Sequence, residues 1–208
     1  MAAKHADRGQ AHFDRWASSY DRSLHQRLTF EPIHRAVLKA YDACGPAPRD
    51  VLDVGCGTGR LLEAAGRRWA DARLTGVDAS EQMLAQARRK GEGDPRLTFE
   101  RGDASALPLP DASIDAAFST MSFHHWADRE GGVREVLRVL RPGGIFILAD
   151  IKMPLLVLLR PVVNRGDRAT FERPGIVRGY LERAPFAILM QKKSWLPTPA
   201  YLFVARKR

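Results

Sequence analysis

The sequence predicts a doubly wound α/β fold: a seven-stranded sheet, parallel through its first five strands and finished by an antiparallel terminal pair. Three observations predict it. Short apolar runs alternate with helical stripes between residues 50 and 149. A glycine loop, Gly55-Cys56-Gly57-Thr58-Gly59, stands where the first run gives way to the first stripe. The last two apolar runs, Phe186 to Met190 and Tyr201 to Val204, are separated by Pro197 and Pro199 and lie too close for a crossover helix.

Taken in order, residues 9–28 carry Phe13, Trp16 and Tyr20 at helical spacing. A second helix follows, with Pro32 placed in its first turn, Ile33, Val37, Leu38 and Tyr41 on one face, and Gly45 beyond its end. Arg49 to Val54 is a short strand running into glycine, and Leu61, Leu62, Ala65 and Trp69 make the next helical stripe. Leu74 to Val77 is the second strand, and Ser80 with Glu81 opens a helix bearing Met83, Leu84 and Ala87. Leu97 to Glu100 and Ile114 to Ser119 are the third and fourth strands. Val133, Val136, Leu137 and Leu140 mark a helix that Pro142-Gly143-Gly144 stops. Ile145 to Ala149 is a fifth strand, apolar on both faces as a central parallel strand requires.

A chain of 208 residues suits one such domain, spanning 1–208. Its two cysteines, Cys44 and Cys56, make no structural disulfide framework, and a cytoplasmic setting is expected. The opening residues lack a charged-then-apolar leader, and the most apolar run, Leu155 to Leu159, falls far short of the roughly 20 residues of a membrane span. The formal net charge of +9 raises nucleic acid as a partner. Arginines 160, 165, 168, 173, 178 and 183, interrupted by Asp167, Glu172 and Glu182, read instead as a solvated mixed-charge face, or as contacts to an anionic substrate or a membrane surface.

Gly55 and Gly57 let the backbone turn tightly and approach a ligand, and the helix after Gly59 aims its free N–H groups at that ligand. The spacing is G-x-G-x-G with Asp53 two positions earlier, not the G-x-G-x-x-G of nicotinamide and flavin sites. Asp78 ends the second strand about twenty residues on, where an acidic group accepts ribose hydroxyls. Asp103, after the third strand, is placed to accept an adenine amino group. Asp78 by itself fits NAD as well as S-adenosylmethionine, so it specifies a nucleoside and not its identity.

The ordered set Leu-Asp-Val-Gly-Cys-Gly-Thr-Gly, Gly-Val-Asp-Ala-Ser, Gly-Asp-Ala-Ser-Ala-Leu-Pro, Ile-Asp-Ala-Ala-Phe-Ser and Leu-Arg-Pro-Gly-Gly resembles the class I methyltransferases. The similarity runs over about residues 10–150 and points to the branch holding ubiquinone and menaquinone C-methyltransferases and natural-product enzymes. The resemblance implies a Rossmann-like sheet and S-adenosylmethionine as cofactor. It implies cofactor contacts from Tyr20, Asp53, Gly55, Cys56, Gly57, Asp78, Ala79, Met83, Asp103, Ala104 and Ser119. It also implies an N-terminal helical lid at 1–45, where Phe13 to Asp21 is similar to the family's lid motif, and a substrate-side insertion at 151–183.

Methyl transfer from a sulfonium needs mainly in-line positioning, with a base only where the nucleophile loses a proton. His124 and His125, in the loop after the fourth strand, are the candidate catalytic residues; the plainer reading is that one of them caps or packs against the next helix. Adjacent histidines without a carboxylate cluster are poor metal ligands, so no metal is expected. Neither Asn/Asp-Pro-Pro-Tyr nor a cysteine follows the fourth strand, which removes two nucleic-acid methylating chemistries. The expected partner is a small-molecule acceptor, methylated at O, N or C. A lipophilic or aromatic one with an acidic group would suit Met153 to Val163 and the arginines. The alternatives are an RNA methyltransferase and a non-catalytic S-adenosylmethionine-binding module. Oligomeric state has no signature in the sequence.

Overall fold

The computed structural model describes residues 24–151, 172–194 and 200–208. Following the chain, α1 (Leu24–Asp42) leads into β1 (Asp50–Val54), α2 (Arg60–Arg68), β2 (Arg73–Asp78), α3 (Glu81–Lys90), β3 (Leu97–Arg101) and β4 (Ile114–Thr120). A 3₁₀ turn (Phe123–His125) precedes α4 (Arg129–Val139) and β5 (Leu140–Ile151); α5 (Pro174–Arg183), β6 (Phe186–Ser194) and β7 (Ala200–Lys207) complete the order. The sheet runs β3-β2-β1-β4-β5-β7-β6. Strands β1 to β5 pair in parallel, while β7 lies antiparallel between β5 and β6.

The uninterrupted apolar runs have a simple cause. Along β1 and β5, alternate side chains enter opposite cores, so both faces of each strand are covered. Val51, Phe118, Ile145 and Ile147 join Leu61, Leu62 and Trp69 of the α2 region and Val37 and Tyr41 of α1 in one core. Leu52, Val54, Phe146 and Leu148 join Phe123, Trp126, Val133 and Val136 in the other. The strand order reverses between β1 and β4, and doubly wound sheets take ligands beside the carboxyl ends of their strands at such a reversal.

Four local expectations are corrected. Pro32 is not in the first turn: α1 starts eight residues earlier, at Leu24, and runs through the proline. A proline there removes one helical N–H donor; burial of Ile33, Val37, Leu38 and Tyr41 beyond it offsets the loss. Pro142-Gly143-Gly144 does not separate α4 from the last parallel strand, because β5 already begins at Leu140. Those residues form an irregular start in which Ile114 pairs with Leu140 and Ala116 with Ile145, with Gly143 at φ 78°. The segment 151–183 contains α5, unforeseen in sequence; Pro174 opens it and Val177 and Leu181 bury one face. Both terminal strands are longer than the apolar runs, since β6 continues through the exposed Gln191, Lys192 and Lys193 and β7 through Ala205 to Arg206 and Lys207.

The expectations for Phe13, Trp16, Tyr20, Met153 to Val163 and arginines 160, 165 and 168 lie outside the described residues. On α5, Arg178 pairs with Glu182, and Arg183 pairs with Glu130 and lies over the Tyr180 ring. These two arginines form the solvated mixed-charge face. Among the described residues, no helix is long and apolar enough to cross a membrane.

Candidate functional site

The glycine loop forms because three of its residues adopt a left-handed backbone: Gly55, Gly57 and Gly59 have φ of 76°, 53° and 78°. A Cβ would be strained at each. The loop is pinned by N–H donation from Gly55 and Cys56 to the Val77 carbonyl, at 2.8 and 3.1 Å. A Cβ built on Gly57 would meet no heavy atom within 4 Å, so this side of the loop faces open space. The Cys56 side chain does not share that side. It belongs to the buried core, and a Cβ on Gly76 would stand 2.8 Å from its Sγ. Its thiol donates to the Gly57 carbonyl at 3.7 Å from the buried side of the loop.

Asp53 and Asp78 flank the loop from the ends of β1 and β2. Asp53 is 2% exposed, and its Oδ1 has no hydrogen-bond partner. Burial, then the neighbouring Asp78 carboxylate, pushes its pKa up to about 8. Asp78 takes N–H donation from Gly57 on Oδ2 and from Ser80 on Oδ1, both at 2.8 Å. Its burial raises its pKa against the lowering effect of those N–H groups. The Ala79 N–H also favours the Asp78 carboxylate, which with four lone pairs keeps accepting capacity beyond these three donors.

Ser80 caps α3 by accepting from the N–H of the buried Met83 at 3.3 Å, while Ala79 before it is exposed. Gly102 donates to the Asp78 carbonyl at 3.1 Å, bringing the turn that carries Asp103 and Ala104 beside the end of β2. Asp103 is exposed, and its Oδ1 accepts from the Ser105 N–H and hydroxyl. Ser119 differs from the rest: it is fully buried at the end of β4, and its Oγ has no hydrogen-bond partner.

Beyond β4 the chain turns through Met121, a non-glycine residue at φ 56° whose N–H donates to Ala149. The strained residue re-aims the backbone so that the 3₁₀ turn meets the end of β5. There Asp150, fully buried, accepts from the His124 N–H on Oδ2 at 2.8 Å. Its Oδ1 lies 2.7 Å from His124 Nδ1 and also accepts from the Ile151 N–H. A proton on Nδ1, donated to this carboxylate, would leave the ring lone pair on Nε2. The two contacts to Asp150 fix the orientation of the His124 ring.

His125 is exposed; its ring centroid stands 3.9 Å from that of His124. Arg129 donates to the His124 carbonyl at 2.8 Å, and its guanidinium lies over Phe123. Ser122 Oγ accepts from Trp126 Nε1 at 3.2 Å.

The structure thus brings Asp53, Gly55, Gly57, Asp78 and His124 to the carboxyl ends of neighbouring strands. Sequence reading missed Asp150 and Arg129. Asp150 had a usable signal: like Asp53 and Asp78, it is an acidic residue terminating a buried strand. Among the described residues, no group of three or more histidine, cysteine or acidic side chains is arranged to hold a metal.

Comparison with known proteins adds three findings. Residues 52–148 match the family model described as a methyltransferase domain. The chain is 38% identical over 152 residues to a demethylmenaquinone methyltransferase of Deinococcus radiodurans, covering 71% of this chain and 63% of that one. It is 42% identical over 104 residues to the 27-O-demethylrifamycin SV methyltransferase of Amycolatopsis mediterranei, covering 48% and 38% respectively. The chain therefore spans less than two thirds of these relatives' lengths. In fold it is similar to a Haloferax volcanii methyltransferase solved in complex with the activator Trm112. That match has a TM-score of 0.73 at 23% identity and covers 94% of this chain and 97% of that one.

Proposed function

The chain belongs to the class I S-adenosylmethionine-dependent methyltransferases, and from that premise we propose that it methylates a small-molecule acceptor at a hydroxyl, with His124 as the base. One observation carries the finer part: the buried Asp150 carboxylate holds His124 Nδ1 at 2.7 Å. A fixed basic imidazole serves an acceptor that must lose a proton as it attacks, which a hydroxyl does.

The residues at the carboxyl ends of the strands suit the cofactor. The open side of Gly57 admits a ligand backbone that a Cβ would exclude. The unpartnered Asp53 Oδ1 suits an ammonium group. Asp78 would hold ribose hydroxyls on its remaining lone pairs, and Asp103 would accept the adenine amino group. When bound, S-adenosylmethionine supplies a methyl group on a sulfonium whose leaving group is a neutral thioether. The chain's own work is then modest. Its loop orients the donor, the 3₁₀ turn orients His124, and His124 Nε2 takes the acceptor proton while Asp150 stabilises the resulting imidazolium.

The test uses methyl-labelled S-adenosylmethionine with a panel of phenols, hydroxyquinones, alcohols and amines. Label on a hydroxyl oxygen is expected. His124→Ala should lower kcat roughly 10²–10⁴-fold, and Asp150→Asn should lower it too by disturbing the tautomer. Both should bind S-adenosylhomocysteine within about threefold of wild type, a difference worth less than 1 kcal/mol. Label appearing on an amine nitrogen, with His124→Ala fully active, would refute the hydroxyl reading.

A further inference from the structure

Gly55 is constrained by something other than a ligand. A Cβ built on it would lie 1.7 Å from Ser122 Oγ and 2.5 Å from Ser122 Cβ. The Ser122 side chain is therefore seated where any other residue at 55 would place its own. Ser122 is in turn tied into the turn that follows it. Its Oγ accepts from Trp126 Nε1, and its carbonyl accepts from the His125 N–H at 2.9 Å. Trp126 closes the far side, since a Cβ on Gly132 of α4 would stand 2.5 Å from its ring. Met121 immediately before it is held in a left-handed conformation, so the backbone has little freedom to absorb a displacement.

We propose that Ser122 is a positioning residue, a strut through which the glycine loop sets the place of the Phe123–His125 turn and hence of His124 against Asp150. The inference rests on the reading that the loop takes the cofactor and that His124 is the base. It goes further by making the two halves one mechanical unit. The glycine loop, anchored to Val77, bears on Ser122 at one end. The 3₁₀ turn, anchored to Asp150 by two hydrogen bonds, moves with Ser122 at the other. A ligand that shifts the loop would displace the imidazole without touching it. Packed interiors transmit such shifts because they have no slack.

The test reads imidazole NMR signals of histidine-labelled protein, with His124 identified through a His124→Asn variant, alongside calorimetric titration with S-adenosylhomocysteine. In the wild type, the ligand is expected to bind and to move the His124 signals. Gly55→Ala should weaken binding at least tenfold and shift the His124 signals before ligand is added. Combining it with Ser122→Gly should restore those signals and recover at least threefold in affinity. A defect due only to the backbone conformation at residue 55 would not respond to the second change.

Should Gly55→Ala fail to fold, Ser122→Gly and Ser122→Ala alone carry the test. Both should bind ligand while the His124 response falls, more for glycine. No recovery in the double variant, or an undiminished response in both single variants, would overturn the strut. Binding without any His124 response in the wild type would overturn the strut alone. Absence of binding would overturn both it and the cofactor reading.

Discussion

At the scale of single residues, Asp53 combines the most unusual environment with the clearest consequence. Its pKa of about 8 arises from burial and from Asp78, and its Oδ1 has no donor. Ionisation is therefore costly in the ligand-free protein and favoured once a cation arrives. The sign follows from linkage: below about 8 the free protein holds a proton that the complex releases. Ligand affinity should climb with pH toward about 8 and then level, by at most roughly tenfold per pH unit. Calorimetry in two buffers of different ionisation enthalpy should show proton release at pH 7. Asp53→Asn should abolish that release and raise the melting temperature of the ligand-free protein, because it removes a buried carboxyl resisting ionisation. An unchanged proton count in the variant would assign the effect to another group.

At the scale of elements, the parallel strands were legible in sequence because burial on both faces leaves a run with no polar alternation. The glycine loop was legible because left-handed backbone at three positions demands glycine. What stayed hidden was decided between elements. Nothing local says that Asp150 turns toward His124, or that Ser122 fills the space above Gly55, because the first pair meets only when β4 and β5 lie side by side and the second only when β1 and β4 do. The helix α5 was obscured by reading arginine spacing when Val177 and Leu181, four apart behind Pro174, were the informative residues. Pro32 misled through its usual place in a first turn.

That proline-bearing helix carries its own prediction. His34, 8% exposed on α1, has its pKa lowered to about 4 by burial and then by Arg60. Its ordinary value is near 6.5, so between about 6.5 and 4 the unfolded chain binds a proton that the folded one refuses. Stability should fall as pH drops through this window, by up to roughly 3 kcal/mol, and level below it. Urea unfolding of wild type and His34→Leu from pH 7 to 4 checks this; the variant should lack that part of the slope. A second element-scale change concerns the α4 cap. Asp128 accepts from the Gly131 N–H at 2.8 Å, and Asp128→Ala should cost about 1 kcal/mol in the same assay.

At the scale of the whole molecule, the net charge of +9 needs to be set against where the cations are bound. At the amino ends of the strands, opposite the candidate site, Asp50 receives Arg73 at 2.6 Å and Arg141 at 2.9 Å. Arg141 also reaches Asp115, whose other oxygen accepts the backbone N–H groups of Arg49 and Asp50. Arg138 is held by Glu135 and Asp111 beside it. These arginines tie β1, β2, β4 and β5 together, and the carboxylates beside them neutralise their charge locally. The two guanidiniums hold the Asp50 carboxyl below its ordinary pKa. A depressed carboxylate contributes stability that is present above the unfolded value of 3.8 and disappears as pH falls through the lower folded value. Both arginines are partly or largely exposed, at 74% and 37%, so solvent screening keeps the contribution small. Asp50→Asn should therefore cost only about 1–2 kcal/mol. Because these arginine–carboxylate pairs and the glycine loop lie at opposite ends of β1, the folded variant should bind S-adenosylhomocysteine as the wild type does. Denaturant unfolding and calorimetric titration of the same preparation separate the two effects. A large loss of affinity at full stability would mean that the sheet transmits strain along β1 from one end to the other, and the two ends would then have to be treated as one coupled site.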